Sequence, residues 1–112
     1  MMIYKIFRDA EWRDLEARGE TAGAPVDLAD GFVHFSTAAQ VRETAAKHFA
    51  GEAGLWVLGV ETAALGDDLR WETSRGGADF PHLYRALRLD DVAWAKPLPL
   101  ADGGHVFPDE VR

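Results

Sequence analysis

The sequence contains no cysteine among its 112 residues. This absence excludes disulfide scaffolds, thiolate zinc sites, iron–sulfur clusters and cysteine nucleophiles. No apolar run approaches the roughly 20 residues that a membrane span needs, and the start of the chain lacks the apolar stretch of a signal peptide. We therefore expect a soluble cytoplasmic protein that has no contact with a membrane.

Positive charge is also scarce, since 12 Lys and Arg stand against 19 Asp and Glu and give a formal net charge of −7. Proteins that bind extended nucleic acid neutralise many phosphates and usually carry the opposite sign. We therefore expect no extended nucleic acid as a partner. A local group of arginines could still hold one small anion.

The overall composition is typical of one folded domain, with 47% apolar and 11% aromatic residues. A chain of this length buries about two-thirds of its surface on folding. No internal repeat of about 20 to 50 residues and no low-complexity linker divides it. We predict a single domain over residues 1–112, with its core at about 3–98 and a C-terminal tail at about 101–112 that is the least ordered part.

Hydrophobic periodicity predicts two early helices and mostly later strands. One helix begins at Asp9 and ends at Gly19, and the other follows Thr37 and ends at Gly51. A loop is predicted for residues 19–30, and strands are predicted at residues 3–7, 32–36, 55–60, 69–72, 80–89 and 92–98. Because the helices do not alternate regularly with the strands, this order favours the α+β class over a doubly wound α/β sheet.

The strand predicted at 32–36 carries the sharpest chemical signal. Alternation puts His34 and Ser36 on one face, and the strand leads directly into a helix at Thr37. Hydroxyl groups and free backbone N–H groups at a helix N-terminus can bind an anion. An equally good interpretation is that Ser36 or Thr37 only caps the helix and that His34 is a satisfied, partly buried side chain.

Two later strands supply the other candidates. Alternation places Arg70 with Glu72, a pair that could clamp a phosphate and act as a base. It also places His82 with Tyr84, a proton donor beside a ring that can stack. The plainer alternatives are a solvent-facing ion pair and a tyrosine that packs at a sheet edge. No H-x-x-x-H or H-E-x-x-H spacing exists, so we expect no metal site.

Taken together, these segments resemble the small bacterial domain-of-unknown-function family 952. The resemblance rests on Ile3-Tyr4, on D-G-F-V-H-F-S-T at 30–37, on R-W-E at 70–72 and on F-P-H-L-Y at 80–84. It spans about residues 3–98. That family is similar to the ADP-ribosyltransferase-like superfamily. The segment 33–36 and the elements after it are similar to RNA 2′-phosphotransferases, which use NAD to remove a phosphate.

The resemblance implies an α+β fold of split antiparallel or mixed sheets with two early helices and a nucleotide-sized cleft between the sheets. It implies catalytic residues at His34, Glu72 and His82, and ligand-binding residues at Lys5, Ser36, Thr37, Arg70 and Tyr84. Lys5 stands where family members often have a histidine, which the superfamily uses to grip the NAD ribose. The implied function is an NAD-dependent transferase acting on NAD or a phosphorylated nucleotide. The alternative is a non-catalytic module that binds a small molecule or a protein on the same fold.

Overall fold

The computed structural model describes residues 1–111, apart from the side chain of Arg75. Its helices are α1 (Asp9–Arg18), α2 (Pro25–Asp30), α3 (Ala38–His48) and α4 (Thr62–Leu65). Its strands are β1 (Met2–Arg8), β2 (Glu20–Thr21), β3 (Val33–His34), β4 (Leu55–Glu61), β5 (Leu69–Thr73), β6 (Asp79–Leu83), β7 (Leu87–Arg88), β8 (Val92–Leu98), β9 (Leu100–Ala101) and β10 (Gly104–His105). Within residues 1–111, every helix is too short or too polar to cross a membrane.

Two three-stranded sheets form the frame of the molecule. The central sheet has the strand order β1–β4–β8, and the second sheet has the order β3–β6–β5. Two-stranded ladders join β2 to β7 and β9 to β10. Each pairing within the described residues is antiparallel. The α+β class is therefore confirmed, and of the two predicted sheet types the antiparallel one is observed.

The alternation of apolar residues along β1 builds a core on each face of the central sheet. Ile3 and Phe7 belong to a buried cluster that includes Val33 and Leu83 of the second sheet. Tyr4 and Ile6 point the other way, into a cluster with buried residues of α3 and the C-terminal segment, namely Val41, Ala45 and Val111. The central sheet is thus covered by the β3–β6–β5 sheet on one side and by α3 on the other.

The predicted loop at 19–30 is wrong, because it contains β2 and α2. Pro25 occupies the first turn of α2, a position where the missing N–H costs nothing. The Asp27 side chain reaches back and accepts a hydrogen bond from the Ala24 N–H at 2.8 Å. This contact satisfies one of the donors that a helix N-terminus leaves free.

Two predicted strands are shorter than expected. The strand predicted at 32–36 is paired with β6 through Phe35, whose N–H donates to Pro81 O, but Ser36 exchanges hydrogen bonds with Tyr4 of β1. The chain therefore crosses from one sheet to the other between Phe35 and Ser36. The strand predicted at 80–89 is divided into β6 and β7, which belong to different ladders.

The C-terminal segment is part of the folded structure. Gly104 and His105 form β10, and the His105 Nε2 atom lies 2.7 Å from Glu52 O. Val111 is 3% exposed. The core therefore extends beyond the predicted limit at residue 98 and includes Val111 of the predicted tail.

Candidate functional site

The outer face of the β3–β6–β5 sheet brings together side chains from all three strands. In the strand register His34 lies opposite His82, and His82 lies opposite Arg70. The ring centroids of the two histidines are 5.2 Å apart. Glu72 and Tyr84 belong to the same face, since both side chains contact their neighbours there. We call this surface the site face and define it by His34, Arg70, Glu72, His82 and Tyr84.

The position of the site face corrects the predicted cleft between two sheets. The segments that contain His34 and His82 belong to adjacent strands of one sheet, so their side chains lie next to each other and do not form opposite walls. The inner face of this sheet carries Val33 and Leu83, which are buried against the central sheet. The candidate residues therefore lie on the side that faces away from the core.

An aromatic side chain covers the histidines. The ring of Phe32 stacks on His82 at a centroid distance of 4.2 Å and lies 4.6 Å from His34 and 5.1 Å from Tyr84. His82 is only 7% exposed, whereas 31% of the His34 side chain is accessible. Phe32 therefore separates a buried imidazole from one that solvent and ligands can reach.

Glu72 holds a fixed position on the site face. Its Oε1 atom lies 2.8 Å from His82 Nδ1 and accepts a hydrogen bond of 2.6 Å from the Tyr84 hydroxyl. These hydrogen bonds, the Tyr84 contribution being the larger, keep the pKa of the Glu72 carboxyl below its usual value. The same contact raises the pKa of Tyr84. The Arg70 guanidinium lies 4.9 Å from the centroid of the Tyr84 ring, within the range of a cation–π contact.

Asp27 forms a second charged centre below the site face. Its buried carboxylate accepts hydrogen bonds from Lys5 Nζ at 2.9 Å and from the His34 N–H at 2.9 Å, and its Oδ1 atom lies 2.6 Å from His34 Nδ1. Burial by itself raises the pKa of this carboxyl, but the hydrogen bond with His34 and the charge of Lys5 outweigh it, so the pKa lies below its usual value. Asp27 is therefore the anion that fixes His34.

The second ring nitrogen of His34 also faces a carboxylate. His34 Nε2 lies 3.0 Å from Oδ2 of Asp30, a residue with 49% of its side chain exposed. A ring that faces carboxylate oxygens at both nitrogens can donate to both of them only in its protonated form. The His34 ring therefore lies between two carboxylates, those of Asp27 and Asp30.

Three of the predicted ligand-binding residues lie away from the site face. Lys5 is 6% exposed and is paired with Asp27. Ser36 is buried, and its Oγ atom lies 3.0 Å from Thr44 Oγ1 of α3. Thr37 precedes α3 and donates its N–H to Gln40 Oε1 at 3.0 Å. The prediction that His34 and Ser36 share one face is wrong, because the chain leaves the second sheet before Ser36.

Three contributors to the site, Asp27, Asp30 and Phe32, are not among the site residues predicted from the sequence. Phe32 precedes His34 by two residues, so the alternation that places Glu72 beside Arg70 also predicts Phe32 beside His34. Asp27 is the third residue of a helix that begins with Pro25. A proline at the start followed by an acidic residue in the first turn is a pattern typical of helix N-termini. The sequence signal for Asp27 is therefore this helix-start pattern, which lies in the segment predicted as a loop.

An open depression of about 300 Å³ adjoins the site face at Phe32 and Tyr84, and its further lining includes Leu28, Arg85 and Ala86. It offers apolar and aromatic surface to a ligand that extends beyond Glu72. The described residues do not form a metal site. No group of three or more His, Cys, Asp or Glu in the described part of the chain is arranged to hold one.

Comparison with known proteins gives a family and several solved structures of a similar protein. The model of the family described as "Protein of unknown function (DUF952)" matches residues 6–95. The crystal structure of protein CC0527 from Caulobacter crescentus is 51% identical, with a TM-score of 0.93 over 99% of this chain and 98% of that one. Its solution NMR structure is 52% identical, with a TM-score of 0.83 over 93% of this chain and 90% of that one. No curated protein gives a significant match. The chain therefore belongs to the DUF952 family.

Proposed function

We propose that the site face binds NAD or a related phosphorylated nucleotide and catalyses group transfer at its ribose, in the manner of an ADP-ribosyltransferase-like enzyme. The observation that carries the proposal is the Glu72 carboxylate. It is fixed by His82 and Tyr84, and yet 39% of its side chain is exposed. A negative charge held in place in this way faces a developing positive charge without reorganisation, which is the most effective form of electrostatic catalysis.

The reaction breaks the glycosidic bond between C1′ of the ribose and the nicotinamide nitrogen. The electron pair of that bond leaves with the ring, which becomes neutral nicotinamide, while positive charge develops on the ribose. Glu72 stabilises this charge, since its lowered pKa keeps the carboxyl ionised at neutral pH. An acceptor oxygen then bonds to C1′ and loses its proton. With water as the acceptor, the products are ADP-ribose, nicotinamide and one proton.

The other residues of the site face have separate roles in this proposal. His34 is the accessible imidazole; with its Nδ1 atom on Asp27, its Nε2 atom takes the proton of the acceptor once the exposed Asp30 side chain moves away. His82 is covered by Phe32 and contacts Glu72, so it acts as a positioning residue for that carboxylate. Arg70 supplies the exposed cation for a phosphate. Lys5 takes no direct part, since Asp27 neutralises it in the interior.

The experiment incubates the protein with NAD and measures nicotinamide release by chromatography, together with backbone amide shifts during the titration. We expect release by the wild type and shifts at Phe32 and Tyr84. Glu72→Gln should lower the rate by about 10²-fold or more, the usual effect of removing a preorganised electrostatic group. The matched control is Glu43→Gln, which changes an exposed carboxylate of α3 and should leave the rate unchanged. Amide shifts that are absent at millimolar NAD would overturn the proposal.

A second candidate is a binding module without turnover on the same surface. The contacts of His34 with Asp27 and Asp30 favour it, because both ring nitrogens already face a carboxylate and neither is directed at a ligand. The same titration separates the two candidates. Amide shifts without nicotinamide release from the wild type identify the module, and release that depends on Glu72 identifies the enzyme.

A further inference from the structure

The strand β5 forms an edge of the second sheet, and within the described residues no other strand pairs with its outer side. Pro81 lies opposite Trp71 in the β5–β6 register, and the Pro81 carbonyl accepts from Phe35 on the far side of β6. Trp71 therefore faces Pro81 in a non-hydrogen-bonded pair, and its own N–H and C=O point away from β6. By the same alternation, the backbone groups of Thr73 and the carbonyl of Leu69 also point outward. The Leu69 N–H is already bonded to Gly66 O.

Charged side chains on this edge are self-complementary. Antiparallel pairing of two β5 strands centred on Trp71 places Trp71 opposite its own copy. It also places Arg70 of each copy opposite Glu72 of the other. The Arg70–Glu72 positions become non-hydrogen-bonded pairs, whose Cα atoms lie about 4.5 Å apart and whose side chains approach most closely. Within the described residues Arg70 has a ring contact with Tyr84 but no ion pair. Within its own chain Arg70 acts on the Glu72 carboxyl through its charge without forming an ion pair, and a second copy places another carboxylate directly opposite it.

We propose that a second copy of this chain binds at the outer edge of β5 with Trp71 on the two-fold axis. The product is a continuous six-stranded antiparallel sheet, held by Trp71–Trp71 and Thr73–Leu69 backbone hydrogen bonds. Trp71, which is 42% exposed, is covered by its counterpart on the inner side. On the outer side Arg70 of the second copy comes next to Glu72, so each site face gains an arginine from the other copy. This interface does not depend on the reaction proposed above.

An edge strand of the central sheet shows what a protected edge looks like in this fold. β8 is the outer strand of the central sheet and contains Lys96 and Pro97. Lysine and proline are the residues that commonly prevent edge-to-edge pairing. β5 contains neither, and its two charges have opposite signs at positions that a two-fold axis exchanges. Its sequence therefore permits the self-pairing that the sequence of β8 opposes.

A charge-swap experiment tests the interface by sedimentation velocity of the full chain over about 1 µM to 1 mM, the range of a weak, small contact. We expect the wild type to dimerise within this range. Arg70→Glu and Glu72→Arg should each be monomeric, because each places like charges opposite each other. An equimolar mixture of the two variants should dimerise again, since every cross-pair is then complementary. A monomeric wild type, variants that dimerise alone, or a mixture that does not associate overturns the proposal.

A backbone variant tests the same interface without changing charge. Thr73→Pro and the control Thr73→Ala both remove the hydroxyl that donates to Asp79, but only Thr73→Pro removes the outward N–H. Proline is tolerated at an edge where its nitrogen faces solvent. We expect the dissociation constant of Thr73→Pro to exceed that of Thr73→Ala by at least about tenfold, since two hydrogen bonds are lost in each dimer. Amide exchange at Trp71 should also slow as the wild-type concentration rises. Equal dissociation constants, or exchange independent of concentration, contradict the interface.

Discussion

Asp27 adds a buried ion pair to the apolar cluster and the Tyr4–Ser36 backbone hydrogen bonds that join the two sheets. Its donors include Lys5 from β1 of the central sheet and His34 from β3 of the second sheet. A buried ion pair is favourable only when hydrogen bonds satisfy the remaining atoms of both groups. The Ala24 and His34 N–H groups meet this condition for the carboxylate. The side chain therefore fixes the orientation of His34 through contacts that lie inside the protein.

Asp27→Asn tests this connection at the level of a single charge. The substitution keeps the shape of the side chain but leaves the Lys5 ammonium buried without its anion. We expect the free energy of unfolding to fall by about 3–5 kcal/mol, as for other broken buried pairs, measured by urea denaturation. The control is Asp30→Asn on the same helix, whose carboxylate is half exposed and should change stability by less than about 1 kcal/mol. Equal effects of the two variants would contradict a buried role for Asp27.

The pH dependence of stability gives a separate test of the same carboxylate. Its pKa is lower in the folded protein than in the unfolded chain. The stabilisation is therefore complete above the unfolded value of about 4 and is lost as the pH falls through the folded value. We expect the unfolding free energy of the wild type to decline more steeply below about pH 4 than that of Asp27→Asn. Parallel curves from urea titrations at several pH values would show that Asp27 does not contribute.

At the scale of single elements, alternation along strands predicts which side chains share a face wherever the strand stays in one sheet. It correctly groups Arg70 with Glu72, because β5 is paired over its whole length. It also groups His82 with Tyr84, because Tyr84 keeps the alternation one residue beyond β6 and both side chains contact Glu72. It fails for Ser36, because an alternating pattern does not reveal where a chain crosses between sheets. It also gives no means of knowing that His34 and His82, far apart in sequence, are direct neighbours in the register.

The strand β4 contains a glycine, Gly59, whose neighbour leaves no space for a side chain. Gly59 lies opposite Trp94 of β8, and a Cβ atom added at Gly59 would come within 2.4 Å of the Trp94 indole. We expect Gly59→Ala to cost about 1–3 kcal/mol of stability through overpacking, measured by chemical denaturation. Gly103→Ala is the control, since nothing lies within 4 Å of a Cβ atom there. Adding Trp94→Leu should recover part of the loss, and a neutral Gly59→Ala would contradict the close contact.

At the scale of the whole molecule, residues 110–111 complete the core that the central sheet builds with α3. Tyr4 donates its hydroxyl to Glu110 O at 3.3 Å, and Arg42 donates to Val111 O at 3.3 Å. The composition of the segment 101–111 is typical of a loose tail, with glycine, aspartate and proline. Its order comes from these contacts with distant residues, and sequence periodicity carries no information about such contacts.

Substitution of Val111 tests how much the packing of the C-terminal segment contributes to stability. Its side chain is 3% exposed within the cluster around Tyr4 and Val41, so Val111→Ala removes buried methyl groups and leaves a cavity. We expect a loss of about 1–3 kcal/mol in the free energy of unfolding, with one cooperative transition. Val106→Ala makes the same chemical change at a residue that is 52% exposed and should cost less than about 0.5 kcal/mol. If the two variants are equally stable, the C-terminal segment does not belong to the cooperative core and the hydrogen bonds of Tyr4 and Arg42 do not hold it there.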